Sequence, residues 1–101
     1  MKLIAVMTIE QYAQDLRKLF REHHVIIFSE SEIRGYRSDA TERDSSNWFA
    51  HTASPIYSHL VFAFVDESKA AELMQAIRNH GQTMDLDHPM RAFQMHVEQF
   101  A

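Results

Sequence analysis

No cysteine occurs in the 101 residues, which excludes disulfide staples and thiolate metal sites and leaves His, Asp, Glu and Met as the side chains able to hold a metal. Only two glycines are present, Gly35 and Gly81, so there is no glycine-rich loop of the kind that cradles phosphate. Cations are in the minority: 10 Lys and Arg stand against 14 Asp and Glu, for a net charge of -4. An acidic chain lacks the clustered basic surface that duplex nucleic acid or an anionic membrane requires, so no nucleic-acid partner is expected. Long hydrophobic runs are missing too. The opening MKLIAVM is broken by Thr8 and Glu10 with no small-residue cleavage site behind it, and reads as a strand of a mature cytoplasmic protein. What is present is ordinary for one globular domain over residues 1–101: 46% hydrophobic and 24% charged residues.

Patterning gives the elements in order. Lys2 to Met7 is apolar without alternation, as in a strand covered on both faces. Thr8 followed by Gln11 reads as a capping box, and Ile9 to His23 places Tyr12, Leu16, Leu19 and Phe20 on one stripe of a helix. Val25 to Phe28 opens a second strand, which continues through Ser29, Ser31 and Ile33 to a stop at Gly35. A long segment from about Arg37 to Pro55 has no period of its own and holds the only tryptophan, Trp48, beside Phe49 and His51. Tyr57 to Val65 is a third strand, and Asp66 an N-cap for a second helix with Ala70, Leu73, Met74 and Ile77 inward and Gly81 as its stop. After QTMDLDHP, a last strand from Met90 to Phe100 alternates, with Phe93, Met95 and Val97 on one face.

This βαββαβ order predicts an α+β, ferredoxin-like fold: a four-stranded antiparallel sheet, two helices on one face, and the long loop between strands two and three. The other face then carries either Phe62 and Phe64 or their neighbours Val61, Ala63 and Val65. Such a surface calls for self-association or a bound partner.

Three function classes follow from the residues. FAFV, from Phe62 to Val65, matches the centre of the RNA-recognition-motif signature, but Leu60 and Val61 replace its basic residue and glycine and LIAVMT lacks its stacking aromatic. A metal site has candidates in His23, His24, His51 and the cluster of Met84, Asp85, Asp87, His88 and Met90, with thioether sulfur favouring Cu(I), although no HxxxH spacing falls on a helix. An enzyme of the dimeric α+β barrel type would need a base such as His59 facing a cavity, and no acid or nucleophile stands at recognisable spacing from it.

The opening third, MKLIAVMTIEQYAQDLRKLFREHHVIIFSESEIRGYR, resembles the start of PII signal-transduction proteins. The shared pattern is a Met-Lys opening strand, an amphipathic helix, and a strand ending in a hydroxyl residue, an acid and a glycine, here Ser29, Glu32 and Gly35. At lower specificity the likeness runs through the remaining elements and puts the segment from about 37 to 55 where that family has its T-loop. The resemblance implies a non-enzymatic homotrimer with inward-facing sheets. It also implies a small-molecule effector, commonly an adenine nucleotide, in clefts between subunits, and a loop that docks on a membrane transporter or a regulated enzyme according to effector state. Ser29, Gly35, Arg37 and Arg91 match the effector-binding positions, and Trp48, Phe49 and His51 become the partner-docking loop residues.

The chain departs from that family at the phosphate turn. QTMDLDHPMR replaces the glycine-rich sequence, and carboxylates repel phosphate where glycine amides would approach it. A divalent or copper cation on Asp85, Asp87 and His88 fits this segment better than a nucleotide does. The loop also lacks the flanked tyrosine of uridylylated members. The resemblance is therefore to a divergent PII-like protein, with relatives in metal tolerance and bicarbonate uptake, and a metal-binding tolerance protein is the alternative reading.

Overall fold

The computed structural model describes residues 1–36, 55–81 and 90–101. Four strands, β1 (Lys2–Ile9), β2 (Ser29–Gly35), β3 (Ile56–Val65) and β4 (Arg91–His96), form one sheet in the order β2-β3-β1-β4, with every neighbouring pair antiparallel. Two helices, α1 (Ala13–Glu22) and α2 (Glu67–Gly81), complete the βαββαβ order, an α+β arrangement compatible with a ferredoxin-like fold.

Side-chain alternation sorts the sheet into two unlike faces. Ile4 pairs with Ala63 and Val6 with Val61, and these four are buried together with Leu16, Leu19 and Phe20 of α1 and Ala70, Leu73 and Ile77 of α2. Both helices thus cover the same face. The opposite face carries the rows Phe64, Leu3, Met95 and Phe62, Ala5, Phe93, followed by Leu60, Met7, Arg91. Phe64 is 54% exposed, Phe93 48% and Met95 45%, so the alternative with Phe62 and Phe64 on the uncovered face is the one the fold adopts.

Three boundaries differ from the sequence pattern. Thr8 is not an N-cap: it lies inside β1 opposite His59, and its buried hydroxyl has no hydrogen-bond partner among the described residues. The backbone ladder to β3 continues through Ile9, so the chain enters α1 through a 3₁₀ turn at Glu10–Tyr12 instead. Val25 to Phe28 is not strand, because α1 ends in a Schellman motif. His24 takes the left-handed conformation at φ 62°, its N–H donates to the Arg21 carbonyl, and the Val25 N–H donates to that of Phe20. Val25 is buried against the helix it closes, whereas Ile26 and Ile27 are exposed. Finally, β4 ends at His96 and not at Phe100, with one further bond from the Val97 N–H to the Met1 carbonyl.

The second helix starts as the sequence predicts. Asp66 Oδ1 accepts from the Lys69 N–H at 2.7 Å and from the Ser68 hydroxyl at 2.9 Å, and these bonds hold its carboxyl below the usual range.

Candidate functional site

One pole of the sheet gathers the ends that matter. β1 and β2 finish there, at Ile9 and Gly35, and β3 and β4 begin there, at Ile56 and Arg91, as the pairs Ile9–Ser58, Gly35–Ile56 and Met7–Arg91 require. The chain leaves the described residues from this pole after Tyr36 and re-enters at Pro55.

Of the effector positions, Ser29 and Gly35 lie at opposite ends of β2 and Arg91 opens β4. Strands β2 and β4 are the two edges of the sheet, so Ser29 and Arg91 stand three strand spacings apart, about 14 Å across the sheet at the usual interstrand distance, and two residues out of register as well. A single chain does not bring them together. Arg37, Trp48, Phe49, His51, Asp85, Asp87 and His88 lie outside the described residues. Among the described residues no group of three or more His, Asp or Glu is placed to hold a metal.

A polar cluster that the sequence does not reveal sits between β2, β3 and α1. His59 is 6% exposed, and its Nδ1 lies 2.6 Å from Glu30 Oε2. Arg17 Nε donates to Glu30 Oε1 at 2.7 Å, and its Nη2 donates to Oε2 at 3.2 Å. The Arg17 hydrogen bond, with help from His59, holds the Glu30 carboxyl below its ordinary range, and the same contact raises the Arg17 guanidinium. An ionised carboxylate only accepts, so His59 Nδ1 is the donor. The acid that the sequence did not pair with His59 is therefore Glu30, 29 residues away and diagonal to it across β2 and β3, where the register sets Glu32 directly opposite. The ring faces the helical layer beside the Thr8 hydroxyl, and the cluster ties edge strand β2 to α1.

A second set joins the helices. Glu72 Oε2 lies 2.6 Å from His23 Nδ1, while Lys69 Nζ donates to Glu72 Oε1 at 3.1 Å and to the His23 carbonyl at 2.7 Å. The His23 contact, then Lys69, holds the Glu72 carboxyl low. His23 is thus committed to a carboxylate and to closing α1.

Comparison with the models of known protein families finds no match, and comparison with curated proteins finds no relative. The functional reading therefore rests on the chain's own residues and geometry. No helix among the described residues is long and apolar enough to cross a membrane.

Proposed function

We propose that this chain is a non-enzymatic, PII-like regulator of the cytoplasm with a ferredoxin-like domain. It assembles as a homotrimer, senses a small effector between subunits, and controls a membrane transporter or an enzyme through the segment from about 37 to 55. The observation that carries the reading is the uncovered sheet face, where Phe64, Phe93, Met95 and Met7 remain 36–54% exposed in one chain. An apolar surface of this extent is a liability unless it is covered. Copies with inward-facing sheets cover it, and the PII-like opening third together with the βαββαβ order supports that assembly. The effector is an adenine nucleotide, a small anion, or a divalent or copper cation. Asp85, Asp87 and His88 argue for the cation.

Size-exclusion chromatography with light scattering tests the assembly. Three chains of 11.8 kDa give a particle of about 35 kDa. A dimer would favour the barrel-enzyme alternative, and a monomer would favour a base-stacking sheet. A thermal-shift panel of adenine nucleotides, bicarbonate, divalent ions and Cu(I) tests the sensing, because a ligand specific to the folded state raises stability by mass action. Absence of any shift overturns the sensing function. Replacing Asp85 and Asp87 with Ala is expected to weaken cation binding more than replacing His23 and His24, since His23 already serves Glu72.

A further inference from the structure

The two edge strands are built differently. β2 carries Glu30, Glu32 and Arg34 along its helix side, and charges on an edge deter pairing with another chain. β4 has no charged residue from Ala92 to Met95 and no proline, and no described strand lies beyond it. Which of its backbone groups are free follows from one bond. The Val97 N–H donates to the Met1 carbonyl, and these two residues continue the Lys2–His96 register, so Met95, Phe93 and Arg91, in step with Val97, point their N–H and C=O groups at β1. Ala92, Gln94 and His96 turn theirs outward, to the side where the sheet ends.

Beside this edge a groove of about 720 Å³ runs between β4 and α2, lined on the helix by Ala71, Met74, Gln75 and Arg78. These positions are three or four apart, so one face of α2 overlooks the strand. The helix starts beside the end of β3, whose Val65 shares a row with Lys2 and His96, and packs back across the sheet through Ala70, Leu73 and Ile77. Arg78 is thereby brought to the Ala92 end of β4. It makes no ion pair or side-chain hydrogen bond among the described residues, and none of the described residues lining the groove is a carboxylate. A chain of net charge -4 thus keeps a cation here with no described counter-charge.

We propose that this edge docks an extended segment of a partner protein, which adds to β4 as a further antiparallel strand. Its backbone bonds to the outward groups of Ala92, Gln94 and His96, and alternate side chains enter the groove against Ala71 and Met74. The intervening side chains lie beside Phe93 and Met95 and lengthen the apolar open face. Antiparallel addition is the stronger pairing, and it directs the segment toward the Ala92 end of the strand, so an acidic side chain near the segment's C-terminal end meets Arg78. The partner is therefore a strand of alternating apolar residues closed by Asp or Glu. This site goes beyond the trimer reading and is tested apart from it: inward-facing sheets cover a face, whereas the partner takes an edge and the groove beside it.

A phage-displayed library of random peptides, selected on the full chain, supplies the probes. The selected peptides are expected to alternate apolar residues and to carry Asp or Glu toward the C-terminal end. Adding one as a synthetic, C-terminally amidated peptide should slow amide hydrogen exchange at Ala92, Gln94 and His96 by about tenfold or more, while Phe93 and Met95, whose amides already face β1, change little. Arg78→Glu should weaken binding by about tenfold or more, and a peptide with Lys in place of its acid should bind that variant better than the original peptide does. A library that yields no binder, binders that protect other amides, or affinity indifferent to Arg78→Glu overturns the proposal. So does protection of the same three amides in the peptide-free chain, which shows the edge already held by another copy. Light scattering on the same samples reports the assembly separately, so the trimer can stand where this site fails, and the site where the trimer fails.

Discussion

Glu30 joins three elements, because one carboxylate serves a buried imidazole and a guanidinium from two other elements. Glu30→Gln keeps the shape and removes the charge, and is expected to destabilise the fold by about 1–3 kcal/mol at neutral pH, measured by urea or thermal melts. The sign of the pH dependence follows from the lowered Glu30 pKa. Below 4.5 and above the folded-state value, the unfolded chain binds more protons, so this contribution is present above 4.5 and is lost as pH falls through the folded value. The two proteins' melting temperatures should therefore differ most above that pH and converge below it; a gap that persists in strong acid would contradict the assignment. Asp66 and Glu72 shape the acid limb of both proteins alike. Thr8 is the opposite case. Its buried hydroxyl has no hydrogen-bond partner among the described residues, so Thr8→Val, nearly the same shape in a strand, should stabilise by about 1 kcal/mol and raise the melting temperature by about 4–8 °C. Neither effect is legible in sequence, where Glu30 and His59 are 29 positions apart and Thr8 looks like a cap.

The helices are the elements that sequence periodicity locates best, since a buried stripe such as Leu16, Leu19 and Phe20 needs only the 3.6-residue turn to recognise. Their ends are harder, because competing backbone bonds decide them. At Thr8 the pairing with β3 wins over a capping bond, and at Val25 the closure of α1 wins over extension into β2. His24 bears the cost of that closure in a left-handed conformation that glycine adopts without strain. His24→Gly should therefore stabilise the domain by about 0.5–1 kcal/mol, read in the midpoint of denaturant unfolding. Destabilisation would mean that the histidine side chain contributes more than its strained backbone costs.

For the whole molecule, the uncovered sheet face is the property that one chain leaves unresolved. Phe64→Glu replaces a ring that is 54% exposed and edge-on to Phe62, and should cost a single chain about 1 kcal/mol. In the proposed trimer it would put a carboxylate on the apolar axis, so on that proposal the scattered mass should fall from about 35 kDa to the 11.8 kDa of one chain. An unchanged mass would remove this face from the interface. Element order, the two helical stripes, the Asp66 cap and the apolar character of both sides of β3 were determined by the sequence itself, because each depends on residues within one or two turns of one another. The face on which Phe62 and Phe64 lie, the union of Arg17, Glu30 and His59, and the separation of Ser29 from Arg91 were decided only by the tertiary structure. These depend on strand register and order, and a shift of one residue in register turns every side chain to the other face.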